Sequence, residues 1–281
     1  MTARASCLCA AVGWELDGPF ALLSHCHCSR CRKAHGAGFA TYVGVPAGRI
    51  RLQGGAAVTS FESSAGFWRA FCRHCGTVVP AAPFKGVVFS PVGPFDDEPG
   101  PSPGAHIFVD SKAAWVEITD ALPRYAAYPP GIDAPVLDAE DPLPRGAALR
   151  ASCLCGGVAF ELATPPLRFY NCHCRRCRKA RAAAHASNLF AAADGARFTR
   201  GEALLVSYKV AEAERFAQVF CRVCGSPMPR IDPARGSVVI PGGALDDDPG
   251  LRPQAHIFVA AEALWWEIRD GLPQYAAYPP E

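Results

Sequence analysis

The apolar residues of this chain gather in short β-branched or aromatic runs. Phe39-Ala40-Thr41-Tyr42-Val43, Gly86-Val87-Val88-Phe89 and His106-Ile107-Phe108-Val109 are bounded by Gly and Pro, the pattern of strands. Later in the chain, Leu204-Leu205-Val206-Ser207-Tyr208 and Val238-Val239-Ile240 are their expected counterparts. No long stretch repeats its apolar residues at helical spacing. Helix is therefore confined to short turns after Cys31 and Cys177, over Ser111 to Trp115 and over Ala260 to Trp265. The pattern predicts a mainly β fold of short antiparallel sheets with little helix. No segment approaches about 18 uninterrupted apolar residues, so no membrane span is expected. The start, Met1 to Cys7, lacks the apolar core of a signal peptide, which points to a cytoplasmic protein.

Laying the chain on itself shows that the pattern is written twice. Ala5-Ser6-Cys7-Leu8-Cys9 returns as Ala151-Ser152-Cys153-Leu154-Cys155, and the stretch from Cys26 to Ala34 returns from Cys172 to Ala180, both at an offset of 146. Phe71-Cys72-Arg73 with Cys75-Gly76 returns at 149, and Ala105-His106-Ile107-Phe108-Val109 at 150. A period this long marks a duplicated domain. Residues 131–149 hold prolines among acidic and small residues and read as a linker. The expected organisation is a first zinc domain over 1–130, that linker, and a second zinc domain over 150–281. Two equivalent halves on one chain are expected to form an intramolecular pseudo-dimer.

Composition adds a constraint and removes a class of partner. The 28 Lys+Arg nearly balance the 26 Asp+Glu in 281 residues, a formal +2 that supplies no broad field for nucleic acid or anionic membrane. The 14 cysteines, in a reducing compartment, point to metal and not to disulfides.

All seven cysteines of each half occupy matched places, as C-x-C, then C-x-C-x-x-C, then C-x-x-C. On a strand, Cys7 and Cys9 would face one way about 6.6 Å apart. Cys72 and Cys75 lie in C-x-x-C-G, a tight turn that presents two thiolates. Together these four predict a closed structural zinc site, repeated as Cys153, Cys155, Cys221 and Cys224. Cys26, Cys28 and Cys31, and likewise Cys172, Cys174 and Cys177, remain as open three-cysteine sets. Catalytic zinc keeps three protein ligands and one exchangeable position. The alternative is closure by a histidine, His27 or His173 within the motif, or His106 or His256 on a later strand. Four zinc ions per chain are expected. With fourteen thiolates around four divalent ions, the formal +2 becomes −4. An open three-thiolate centre suits an incoming thiol, because metal coordination deprotonates it and creates a nucleophile.

These residues resemble the glutathione-dependent formaldehyde-activating enzyme family, which includes centromere protein V-like proteins. The resemblance rests on C-L-C, C-H-C-x-R-C-R-K-A, F-C-R-x-C-G, the acidic turns Phe95-Asp96-Asp97 and Leu245-Asp246-Asp247, and the A-H-I-F-V and L-P-x-Y endings. It implies an Mss4-like zinc fold and a carbon–sulfur lyase-type activity of the EC 4.4.1 kind, joining glutathione and formaldehyde as S-hydroxymethylglutathione. It places structural zinc on Cys7, Cys9, Cys72 and Cys75, and catalytic zinc on Cys26, Cys28 and Cys31, with the same assignment in the second half. The chain departs from the family at Ala10, where the second half keeps Gly156. It departs again at Arg181-Ala182-Ala183-Ala184-His185, where the first half keeps His35-Gly36-Ala37-Gly38-Phe39. The second pocket is thus expected to bind something else, or nothing.

Three classes of function compete on these residues. The leading one is a zinc enzyme acting on a small thiol, glutathione or another, and a small aldehyde, with Arg30, Arg32 and Lys33 as candidates for the thiol's carboxylates. For those three the plainer alternative is a solvated basic face. The second is a non-catalytic zinc-stabilised module that binds a protein, favoured if the triads are closed. The aromatic residues Trp115, Tyr125, Tyr128, Trp265, Trp266, Tyr275 and Tyr278 suit either, with core or interdomain packing as their default. Nucleic-acid recognition ranks last, since Arg175 to Arg181 is the one dense basic run.

Overall fold

Alternation builds the first sheet. In the computed structural model, which describes residues 2–20, 23–96, 102–132, 136 and 148–280, Ala3 and Ala5 of strand Thr2–Ser6 turn inward. They lie opposite Leu16 and Trp14 of strand Gly13–Asp17. Strand Ile50–Gln53 completes this antiparallel sheet. The largest sheet of the first half runs in the order Arg124–Tyr125, Ala105–Ile107, Leu23–Cys26, Ala40–Pro46, Val87–Pro91. The strand Ala105–Ile107 pairs in parallel with both neighbours, an exception among antiparallel pairings. A third small sheet joins Val58–Ser64, Phe67–Cys72 and Val78–Val79.

The second half repeats the plan. Leu149–Ser152, Ala159–Leu162 and Ala196–Arg200 make its small sheet, and Ala186–Ala192 and Arg168–Cys172 form the middle of its large one. Strands Leu205–Lys209 and Ala217–Cys221 pair beneath its C-x-x-C turn. The run Leu204 to Tyr208 is thus the counterpart of Val58–Ser64, not of the Phe39 run. The true counterpart of Ala40–Pro46 is Ala186–Ala192, a stretch too rich in small residues to stand out by composition.

Among the described residues, helix is limited to α1, Ser29–His35, and α2, Arg175–Arg181, besides single 3₁₀ turns. Each helix contains the third cysteine of its triad and does not follow it. The turns expected over Ser111 to Trp115 and Ala260 to Trp265 fall earlier, at Val109–Ser111 and Val259–Ala261. Among the described residues no helix is long and apolar enough to cross a membrane. The expected linker falls mostly outside the described residues, as does Asp97 of the first acidic turn.

The halves exchange core residues. Trp115 and Val116 of the first half pack in the core of the second, where Trp115 meets Phe169 at a ring separation of 5.0 Å. Trp265 and Ala263 return the exchange in the first core. Two reciprocal ion pairs cross between the halves: Lys33 with Asp246 at 2.5 Å, and Lys179 with Asp96 at 2.8 Å. Ser152 and Ser6 complete each pair through their hydroxyls. Backbones also meet directly, since a Cβ on Gly93 would lie 2.1 Å from the Ala183 nitrogen, and one on Gly243 2.4 Å from that of Ala37. These contacts make one pseudo-symmetric unit of the two halves.

Candidate metal centres

The sulfurs divide four and three in each half. Cys7, Cys9, Cys72 and Cys75 bring their sulfurs within 4.8 Å of one another, as do Cys153, Cys155, Cys221 and Cys224. Individual separations are 3.5 Å for Cys7 to Cys9 and 3.6 Å for Cys9 to Cys72, and 3.4 and 3.8 Å for the equivalent pairs. Tetrahedral sulfur ligation at about 2.3 Å requires edges of about 3.8 Å, while a disulfide needs about 2.05 Å. The residues present therefore fit a closed four-sulfur zinc centre.

The local route to that geometry differs from a strand face. Strand Thr2–Ser6 ends before Cys7, and Cys7 to Ala10 form a turn closed by the Ala10 N–H on the Cys7 carbonyl. Ala10 consequently sits at φ +60°, where Gly156 sits at +69° in the second half. The Val12 N–H points at Cys7 Sγ at 3.3 Å, and the Thr77 hydroxyl lies 3.3 Å from Cys75 Sγ. Hydrogen bonds with Cys72 and Cys75, then burial, raise the Cys7 thiol pKa, whereas hydrogen bonds from Cys7, Cys72 and Cys9 lower that of Cys75. Such second-layer donors are what a thiolate cluster needs.

Each triad is placed by a strand end and a helix start. Cys26 closes strand Leu23–Cys26, Cys28 caps α1, and Cys31 lies in its first turn, where the Cys31 N–H donates to Cys28 Sγ at 3.3 Å. Cys172, Cys174 and Cys177 repeat this, with the Cys177 N–H 3.4 Å from Cys174 Sγ. Cys28 and Cys174 are half-buried while Cys26, Cys31, Cys172 and Cys177 are buried, so each triad is reached from the side of its capping cysteine. Tyr42, Phe108, Tyr125 and Tyr128 wall the first triad, and Tyr170, Phe216, Phe258 and Tyr275 the second. Within each triad one thiol is favoured as thiolate by its two neighbours. It is Cys31 in the first, held well below its usual range, and Cys174 in the second, lowered to about 3.

No histidine joins either group among the described residues. The backbone turns His27 away from the sulfurs of Cys26 and Cys28, and its Nε2 lies 2.9 Å from His106 Nδ1. Asp120 accepts from His106 Nε2 at 3.0 Å, which leaves His106 Nδ1 to accept and His27 Nε2 to donate. Burial, then His106, pushes His27 down to about 3, so it stays neutral. His173, His256 and Asp270 form the same relay at 2.7 and 2.9 Å. Both relays border one cavity of about 700 Å³ between the halves, lined also by Trp115, Trp266 and Phe39.

Two basic residues of the motif, Lys33 and Arg32, have internal tasks. Lys33 makes the ion pair to Asp246 already described, and Arg32 donates to the carbonyls of His27 and Ser111, both at 3.3 Å. Arg30 sits half-buried in the first turn of α1. Of the aromatic tail residues, Trp115 and Trp265 pack between halves, while Tyr125, Tyr128 and Tyr275 stand beside the triads.

Three residues on the buried side of each triad escaped the sequence reading. In the first half, Arg69 donates from Nη2 to Cys31 Sγ at 3.4 Å, and His35 Nε2 accepts from the Tyr42 hydroxyl at 2.6 Å. His35 Nδ1 then donates across the interface to the Arg181 carbonyl at 2.8 Å. At the equivalent places the second half has Gln218, Asn188 and Arg181, with Arg181 donating to the other two at 2.5 and 3.3 Å. The available signal was mismatch at His35 and Arg181, directly after the matched Lys33-Ala34 and Lys179-Ala180; at Arg69 and Gln218, and at Tyr42 and Asn188, the flanking residues differ as well and gave no signal.

Comparison with known proteins agrees with the repeat. The family model described as "Glutathione-dependent formaldehyde-activating enzyme" matches the chain over residues 2–111 and again over 148–261. No curated protein matches the chain.

Proposed function

Because the chain belongs to the glutathione-dependent formaldehyde-activating enzyme family and carries its domain twice, we propose that it is a carbon–sulfur lyase-type enzyme uniting a small thiol with a small aldehyde. Glutathione and formaldehyde are the first pair to test, with S-hydroxymethylglutathione as product. The observation that carries this reading is the four-plus-three division of sulfurs, with a half-buried cysteine at the mouth of each triad. In this reading the two tetrads hold structural zinc, and Cys26, Cys28, Cys31 and Cys172, Cys174, Cys177 hold the exchangeable ions, four in all. The zinc supplies a deprotonated thiol at neutral pH.

The reaction forms one C–S bond as the thiol sulfur attacks the carbonyl carbon, and the thiol proton ends on the carbonyl oxygen. Around the first triad, the rings of Phe108, Tyr125 and Tyr128 line the approach. The hydrogen-bonded relay of His27, His106 and Asp120 fixes the loop between Cys26 and Cys28, so the sulfurs keep their separation. The reading includes a domain division near residue 130, a linker to 149 and residence in the reducing cytoplasm.

The test uses the full chain. Zinc content is measured first, and then the rate of adduct formation from glutathione and formaldehyde above the spontaneous rate, in wild type, Cys28→Ser and Cys174→Ser. Four zinc ions and an acceleration lost in one or both variants support the proposal. Four zinc ions with no acceleration for any thiol and aldehyde pair would favour a zinc-stabilised binding module.

A further inference from the structure

A loaded three-thiolate centre carries a formal charge of −1, and a buried anion without a counter-charge is costly. Each triad has one arginine on its buried side. Arg69 is 9% exposed and Arg181 8%. They do not occupy equivalent positions. Register and repeat align Arg69 with Gln218, Arg181 with His35, and Tyr42 with Asn188. One half draws its cation from the strand that leads into the C-x-x-C turn, and the other from the last residue of the triad helix.

We infer that Arg69 and Arg181 are alternative counter-charges for the two three-cysteine centres, each holding the metal of its own half. The inference rests on the reading above only in that the triads bind metal. Duplication alone would have left the same residue in both halves, with the arginine at one shared position. Instead the positions changed together, and each triad keeps one guanidinium on its buried side, in addition to Arg32 and Arg178, which both halves share. Geometry places both against their triads: Arg69 reaches Cys31 Sγ, and Arg181 stands one helical turn after Cys177 on α2. The linkage also differs. Arg69 donates directly to a ligand sulfur, whereas Arg181 is fixed by the two amide oxygens that replace Arg69 and Tyr42. Partners behind metal ligands typically contribute 10- to 100-fold to metal affinity.

The experiment is zinc release from the full chain to a chromogenic chelator, with the freed cysteines alkylated and mapped by mass spectrometry. The variants are Arg69→Gln, Arg69→Lys, Arg181→Gln and Arg181→Lys. Arg69→Gln is expected to release one zinc at least 10-fold more readily and expose Cys26, Cys28 and Cys31 to alkylation, with the second triad unchanged. Arg181→Gln should do the same for Cys172, Cys174 and Cys177. Each lysine variant should recover part of the loss, because the charge returns without the forked geometry. Unchanged release in both glutamine variants would overturn the inference, as would a loss shared equally by Cys7, Cys9, Cys72 and Cys75, which indicates unfolding. Wild type binding only two zinc ions would instead refute metal at the triads, the reading on which the inference stands.

Discussion

Replacing Gly76 with alanine measures how tightly the metal turns of the two halves are packed together. Gly76 follows Cys75 at φ +74°, and an alanine there accepts a left-handed backbone at about 1–2 kcal/mol. Its Cβ would also stand 2.6 Å from Cγ and 2.7 Å from Cδ1 of Phe220 in the other half. Carbon atoms prefer about 3.5–4 Å. Phe220 is fully buried and cannot swing into solvent, so overpacking adds about 1–3 kcal/mol. The sum is about 2–5 kcal/mol. Gly156 isolates the backbone term, since it sits at φ +69° with nothing within 4 Å of a new Cβ. Gly156→Ala should therefore cost only about 1–2 kcal/mol, and Ala10→Gly, at the matching place, should gain about as much as it relieves. Urea unfolding with zinc in excess, followed by tryptophan fluorescence, compares the three. Equal losses for Gly76→Ala and Gly156→Ala would refute the packing of these turns across the interface.

Three further outcomes separate the roles of the residues. Cys72→Ser should release one zinc and unfold the first half, because structural zinc in small domains is worth about 10–16 kcal/mol. Cys28→Ser should keep the circular dichroism of wild type while emptying one triad, and wholesale unfolding there would contradict the division of the sulfurs. Lys33→Ala removes the ion partner of the buried Asp246 carboxylate, which keeps the Ser152 hydroxyl at 2.8 Å, and should cost about 3 kcal/mol, the low end for a broken buried pair. A Lys33→Met/Asp246→Leu double variant should cost much less, and a thermodynamic cycle on the four proteins checks it.

The parts of the molecule legible in the sequence are those where spacing itself is the chemistry. Cysteines two or three residues apart, twice over, announce both tetrads and triads, because short loops confine their sulfurs whatever the surrounding fold. The C-x-C turn was less legible. Alternation suits a strand, but the carbonyl of Cys7 takes the Ala10 N–H and bends the chain into a turn. The fates of Arg32 and Lys33 were hidden for another reason: their partners, Ser111 and Asp246, lie 79 and 213 residues away. Arg69 and Arg181 were hidden because a counter-charge has no fixed spacing from the sulfurs it serves. The histidines were placed within the motif by sequence, but only the parallel strand Ala105–Ile107 brings His106 to His27.

The exchange of tryptophans and the contact of Phe39 with His185, 5.7 Å between rings, have a consequence for symmetry. Phe39 and His185 are equivalent positions, so in a dimer of identical chains each would face its own copy, and any substitution there would change both sides at once. Tying the two copies into one polypeptide lifts that restriction. The chain is in effect a heterodimer that cannot mispair, whose assembly does not depend on protein concentration. Phenylalanine can meet histidine on the axis, and one centre can change its surroundings while the other keeps the older ones. Fusion thus turns a redundant pair into two sites free to diverge under a shared core.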